Sequence, residues 1–256
     1  WVARQIAAAP GLLDELLDAR LLASPPNRVE LEELAAVAMG HAYDDEGKLD
    51  ALRQFQQGQM LRVAAAEISG ALPLMRVSDH LSWIAEATLV QALEASREEM
   101  EKRHGVLPEG AGLCLIAYGK LGGMELNYGS DLDLVFLYRG QGDSDGARPL
   151  DITQYAIRWV QRLIHWVGTQ TGAGRAYELD TRLRPSGRSG LLVTSAEAFA
   201  SYQQNQAWTW EHQALCRARP VAGDDWLAQR FTQIREDVLT AERDMEQLAK
   251  RMLEMR

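Results

Sequence analysis

Apolar residues recur at helical spacing along the first part of the chain. Leu12, Leu13, Leu16, Leu17 and Leu21 form one stripe, and Leu31, Leu34, Ala35, Ala38 and Met39 repeat it. Both patterns predict amphipathic helices with a buried leucine face. Ser24-Pro25-Pro26 separates the stripes as a linker, and Asp44-Asp45-Glu46-Gly47 predicts a turn. Longer helices are expected over Leu49 to Ile68 and over Asp79 to His104, the second capped by Ser78. Residues 1–105 therefore read as a helical region without chemistry of its own. His41, His80 and His104 sit at no metal-ligand spacing and are expected to be surface or core residues.

The pattern changes over residues 106–223, where short apolar runs alternate with helices. Leu113 to Tyr118 predicts a strand, and Gly140 to Pro149 a polar loop. Leu150 to Thr169 predicts a helix capped by Asp151, with Ile157, Val160, Leu163, Ile164 and Val167 on its apolar face. Leu191 to Val193 follows as a short apolar run, and the spacing of Thr194 and Glu197 predicts a capping box for the next helix. Residues 224–256 form a charged helical segment with Leu227, Phe231, Ile234, Val238 and Leu239 on one side.

Candidate chemistry concentrates at Gly129-Ser130-Asp131-Leu132-Asp133-Leu134-Val135-Phe136-Leu137. In a strand, residues i and i+2 share a face. Asp131 and Asp133 are thus expected side by side, with Val135 and Leu137 continuing that face inward and Leu132, Leu134 and Phe136 opposite. Two carboxylates so close repel unless a proton or cation lies between them. Mg²⁺, a hard ion that takes oxygen ligands and keeps room for phosphates, suits the pair. Gly129 and Ser130 offer flexible backbone and a hydroxyl for close approach to a phosphate. A second acidic run, Tyr177 to Pro185, predicts a strand with Glu178, Asp180, Arg182 and Arg184 on one face. Asp180 is the candidate third carboxylate of a two-metal phosphoryl-transfer site. Arg182 and Arg184 are either phosphate ligands or members of a salt-bridged strand.

Gly119-Lys120-Leu121-Gly122-Gly123 has glycines and a lysine that could meet phosphate, but neither P-loop nor Gly-x-Gly-x-x-Gly spacing. It either binds phosphate through Lys120 or lets the backbone turn beneath the Asp131 strand. Trp208 and Trp210 do not share a helix face, so they are expected to pack in the core instead of clamping a base. His212 has no Ser or Cys arranged with it as a nucleophile.

Several blocks resemble the glutamine synthetase adenylyltransferase family of the DNA polymerase beta-like nucleotidyltransferase superfamily. They are Ala117-Tyr118-Gly119-Lys120-Leu121-Gly122-Gly123-Met124-Glu125-Leu126, running on through Asn127 to Leu134; Asp180-Thr181-Arg182-Leu183-Arg184-Pro185-Ser186-Gly187 with Gly190 to Ser195; and Tyr202-Gln203, Ala207 to Leu215 and Arg217-Ala218-Arg219. The dense match covers residues 112–224. It implies an α+β fold: a polymerase beta-like nucleotidyltransferase core with a small mixed sheet over 106–223, an N-terminal helical region over 1–105 and a C-terminal helix over 224–256. The wording of the Arg-Pro-Ser-Gly and Trp-Thr-Trp-Glu-His blocks resembles the adenylylating half of that family. The implied reaction moves AMP from ATP to a tyrosine of glutamine synthetase. Asp131, Asp133 and Asp180 would act as metal ligands and catalytic groups, and Gly129, Ser130, Lys120, Arg182 and Arg184 would bind the nucleotide. The resemblance also implies regulation by glutamine and a PII-type signal protein. Phosphorolytic removal of AMP by the same fold, or a non-catalytic regulatory or docking role, are the alternatives.

Composition fits this picture. Of 256 residues, 27 are basic and 36 acidic, giving a net charge of −9 that argues against a nucleic-acid binder. Two cysteines, Cys114 and Cys216, both in apolar sequence surroundings, fit a reducing, cytoplasmic setting without disulfides. No apolar run reaches membrane-spanning length, so no membrane role is expected. The start at Trp1 and the end within a charged helical pattern read as a domain excised from a longer protein.

Overall fold

A computed structural model describes residues 25–242. The stripe Leu12 to Leu21 and the segment after Glu242 lie outside the described residues. Three helices come first: α1 (Arg28–Gly40), α2 (Asp45–Ile68) and α3 (Leu74–His104). Asn27 caps α1 with a full capping box, accepting from the amides of Val29 and Glu30 while Glu30 reaches back. Asp44 is not in a free turn as expected but caps α2, accepting from Gly47 N at 2.8 Å. Ser78 lies inside α3, which begins five residues earlier than the apolar pattern showed; Pro73 precedes it, where a missing N–H costs nothing.

The sheet has five strands: β1 (Gly112–Ala117), β2 (Leu132–Arg139), β3 (Leu179–Asp180), β4 (Val193–Ser195) and β5 (Arg219–Gly223). β1 runs antiparallel to β2 on one side and β5 on the other. The free edge of β2 is shared by two short parallel strands. β3 pairs with Leu132 and Asp133, and β4 with Phe136 to Tyr138. Between strands lie a one-turn helix α4 (Gly119–Gly122), then α5 (Ile152–Gly168), α6 (Ala196–Asn205) and α7 (Thr209–Leu215), and α8 (Asp225–Thr240) follows β5. Asp151 caps α5 as expected. For α6 the capping side chain is Ser195, the last residue of β4, one residue later than the Thr194 spacing predicted; it accepts from Ala198 N at 3.2 Å.

The strands alternate as the sequence requires. Leu132, Leu134 and Phe136 join Leu113, Leu115 and Ala117 in a core shared with α1, α2, α3 and α5. Val135 and Leu137 face the other side with Cys114 and Ile116, against Phe199 of α6 and Leu227, Phe231 and Ile234 of α8. The N-terminal helices thus share one continuous core with the sheet. A buried carboxylate reinforces this contact: Glu86 of α3 pairs with Arg219 of β5, whose guanidinium also donates to Gly122 O at 3.1 Å and Leu121 O at 3.0 Å.

Two expectations fail on this side of the molecule. Trp208 and Trp210 are not core residues; they are 68% and 43% exposed. α7 instead anchors through Leu215 and through Glu211, which accepts from Tyr202 Oη at 2.9 Å, while His212 Nε2 bonds Gln203 O. Cys216 is exposed and Cys114 buried, so local apolar sequence misjudged one of the two. His80 and His104 are buried and satisfied by the carbonyls of Pro26 and Arg148.

Candidate active site

The site is built where β2 emerges from the sheet. Asn127 organises the approach: its side chain accepts from Ser130 Oγ at 2.8 Å and Gly129 N at 3.3 Å, and its own N donates to Ser130 Oγ at 3.1 Å. This Asx-type turn delivers Gly129 and Ser130 immediately before Asp131. Leu132 N then bonds Glu178 O at 2.9 Å, which starts the parallel ladder with β3. The ladder sets Asp133 directly opposite Asp180. Asp131 is exposed and Asp133 half-buried. The parallel pairing therefore brings the three candidate carboxylates to one sheet end.

The glycine turn sits beneath them. Gly119 has φ +55°, a backbone region that side chains rarely adopt, and a Cβ placed there would overlap the Asp133 carboxylate. Tyr118 N donates to Asp133 O at 2.9 Å. Gly119 thus serves close packing against Asp133 and Gly122 against the carbonyls of Arg217 and Ala117, and the exposed Lys120 lies near enough to act on the Asp133 charge.

Electrostatics divide the pair. Burial, together with the charges of Asp131 and Asp180, raises the Asp133 pKa above the ordinary carboxylate range; Arg182 and Lys120 offset part of this. Asp180 moves the other way because Arg182 hydrogen-bonds it, and the Arg182 pKa rises in turn.

The expected strand from Tyr177 to Pro185 is only two residues long. Arg182 N donates to Asp180 Oδ1 at 2.8 Å, turning the chain out of the sheet. Its guanidinium Nε then bonds Asp180 Oδ2 at 2.7 Å. Arg184 does not line up beside it: Nη1 bonds Thr181 O at 2.7 Å and Oγ1 at 3.0 Å, and Nε bonds Gly190 O at 3.3 Å. Arg182 and Arg184 therefore share a loop, not a strand face. Both remain beside the carboxylates, in a cleft of about 440 Å³ with Asp131, Asp180, Thr181 and Arg188.

A second cleft of about 440 Å³ lies on the other side of Asp131 and Glu178, walled by Gln56, Gln57 and Met60 of α2, Tyr128 to Ser130, and Arg175 to Tyr177. The helical region, expected to carry no chemistry, thus walls a cleft that borders Asp131. The signal was the run Arg53-Gln54-Phe55-Gln56-Gln57-Gly58-Gln59, polar in a helix where Arg53, Gln56, Gln57 and Gln59 are all buried.

The donor set fits a hard divalent cation in kind: it is all carboxylate oxygens, and the charges of Asp131 and Asp180 both act on Asp133. Among the described residues, however, no three His, Cys, Asp or Glu side chains form a ready-made metal shell. Arg182 supplies the positive charge on Asp180 in this arrangement.

A small mixed sheet with carboxylates at the ends of adjacent strands, covered by helices on both faces, is an α+β architecture consistent with a nucleotidyltransferase core. Residues 1–234 match the sequence profile described as glutamate-ammonia ligase adenylyltransferase, and the chain belongs to that family. It is 52% identical over 271 residues to the bifunctional glutamine synthetase adenylyltransferase/adenylyl-removing enzyme of Thioalkalivibrio sulfidiphilus (strain HL-EbGR7), covering 100% of this chain and 28% of the relative. Proteins of the same name from Pseudomonas syringae pv. tomato and Shewanella loihica are 50% and 46% identical, again across 100% of this chain. The chain spans only 27 to 28% of the length of these three relatives.

Proposed function

We propose that this chain carries the site that transfers AMP from ATP to a tyrosine of glutamine synthetase, releasing pyrophosphate. The observation that carries the reading is the register of β2 against β3, which sets Asp133 opposite Asp180 with Asp131 two residues away. The names of the relatives support adenylyl chemistry on glutamine synthetase in either direction. The adenylylating direction rests on the resemblance of the Asp180 to Gly187 and Ala207 to Leu215 blocks.

Asp131, Asp133 and Asp180 would hold Mg²⁺, which when bound polarises the phosphate and lowers the pKa of a coordinated hydroxyl. The chain's own residues do the rest. Gly129 and Ser130 place the α-phosphate beside Asp131, and Lys120, Arg182 and Arg184 meet the negative charge of the phosphates. The tyrosine oxygen forms a bond to the α-phosphorus as the bond to the bridging oxygen breaks, and pyrophosphate leaves with that electron pair. The phenolic proton must go elsewhere, because a free tyrosine has a pKa of about 10. Asp180 accepts it once Arg182, whose hydrogen bond lowers the Asp180 pKa, moves from the carboxylate to the phosphates.

The same reading includes regulation by glutamine and a PII-type protein, on resemblance alone, and a cytoplasmic setting, on cysteine usage. Among the described residues no helix is long and apolar enough to cross a membrane.

The direction is tested by offering the chain unmodified glutamine synthetase with Mg·ATP, and separately adenylylated glutamine synthetase with orthophosphate. Modification in the first reaction alone supports the proposal. ADP release in the second alone would assign the chain to phosphorolytic removal.

A further inference from the structure

We infer that Arg219 is a positioning residue for the reaction: by gripping the glycine turn, it fixes where the Asp133 carboxylate stands. The inference rests on the proposed use of Asp133 as a metal ligand and adds the group that holds that carboxylate in place. In the register of β1 against β5, Arg219 lies opposite Ala117. Cross-strand partners share a face, and Ala117 belongs to the core that α3 covers. The guanidinium therefore enters between the sheet and α3, where Glu86 meets it.

The grip is directional. Arg219 Nη2 pairs with Glu86 and donates to Leu121 O at 3.0 Å, and Nε donates to Gly122 O at 3.1 Å. Both carbonyls belong to the last two residues of the one-turn α4, and carbonyls at a helix end take their donors from outside the helix. Glu86 is buried, and Arg28 at the start of α1 approaches its other oxygen to 3.2 Å. A buried ion pair adds little stability once both groups have left water. What this one supplies is register, because it aims a rigid fork of donors at two consecutive carbonyls.

The turn needs holding. Gly119 and Met124 both lie in the left-handed region, at φ +55° and +58°, and Met124 carries a side chain that disfavours it. Such backbone persists only where its surroundings over-determine it. At Gly122 there is no room to drift, since a Cβ would overlap Arg217 O. At Gly119 the backbone is packed on the Asp133 carboxylate, and Tyr118 N bonds Asp133 O at 2.9 Å. A shift of α4 is thus passed to Asp133, and to Lys120, which the same turn carries. Arg217 touches the turn differently, through an exposed pair with Glu125, and such pairs contribute little.

Arg219→Lys keeps a charge for Glu86 but cannot fork onto two carbonyls. The full chain and this variant are compared by initial rates on glutamine synthetase in Mg²⁺, in whichever direction wild type runs, and by amide exchange without metal. Arg219→Lys should lower kcat about 10- to 100-fold, the cost of a misplaced reacting group. KM for glutamine synthetase should stay within about twofold, because the lost contact acts at the reacting groups and not in acceptor binding. The amides of Gly122 and Gly123 should exchange faster. Arg217→Gln should leave kcat within about twofold. Faster exchange with unchanged kcat would give Arg219 a structural role only and overturn the inference. A raised KM for glutamine synthetase with kcat unmoved would do the same, as would an equal loss of kcat in Arg217→Gln. Should Arg219→Lys fail to fold, Glu86→Gln, isosteric at the buried end, carries the test: kcat should fall there too, and an unchanged kcat overturns the inference. Absence of both transfer and phosphorolysis in wild type would instead sink the nucleotidyl-transfer reading itself, and this inference with it.

Discussion

Asp133 and Asp180 stand opposite each other in a two-residue parallel ladder, yet their pKa values shift in opposite directions, because burial raises that of Asp133 while a hydrogen bond from Arg182 lowers that of Asp180. One is an acid made weaker by burial and like charge, the other an acid made stronger by a guanidinium.

This asymmetry predicts opposite stability effects. The raised pKa of Asp133 means that its contribution to folding is present at low pH and lost as pH rises through its folded value. Asp180 contributes at neutral pH, and that contribution is lost as pH falls through its depressed value. Asp133→Asn should therefore match or exceed wild type in Tm at about pH 7, its advantage fading toward about pH 3. Asp180→Asn should lie below wild type at neutral pH and converge with it in acid. Thermal unfolding across that range measures both.

Freeing Asp180 should change cation binding. Arg182 occupies the oxygens that a divalent ion would use, so Arg182→Gln should bind Mg²⁺ alone more tightly and Mg·ATP more weakly. Calorimetric titration reads both; unchanged Mg²⁺ affinity would remove Arg182 from its role as the resident charge.

Gly119→Ala introduces a Cβ into a left-handed backbone position and into the space of the Asp133 carboxylate. A loss of about 1–2 kcal/mol in stability is expected from the backbone. Turnover should fall about 10²-fold because the carboxylate must shift. Denaturant melts and initial rates check the two effects separately.

Arg53→Met should be among the most disruptive changes in α2. Its guanidinium satisfies carbonyls of Leu49, Trp166, Thr169 and Gly174 from a fully buried position. Leaving those acceptors unpartnered costs about 3 kcal/mol. For a chain of this size that lowers Tm by about 6–12 °C. Loosening of the loop over Thr169 to Gly174 would appear as faster amide exchange there.

Much of the Asp133 strand was legible in the sequence because one period governs it. Alternation in Leu132 to Leu137 separates two cores, and the structure divides those residues accordingly. The meeting of Asp133 with Asp180 was legible too, as carboxylates expected on neighbouring strands. The loop after Asp180 was not. Period two continues through Arg184 in the sequence, but an Asp side chain that captures the amide two residues on ends the strand locally. Trp208 and Trp210 show the opposite failure: large aromatics imply a core, but α7 is anchored by Leu215 and Glu211 instead. The contribution of α2 was hidden because Arg53 and Gln57 bond backbone carbonyls more than 110 positions away, a relation that no local pattern carries.

The most direct test of the central claim is transfer of label from α-³²P-ATP to purified glutamine synthetase in Mg²⁺, comparing wild type with Asp131→Asn and Asp133→Asn. Label on the target that both variants lose, with folded spectra retained, is the predicted result. Near-normal labelling by either variant would contradict the assignment of these carboxylates to catalysis.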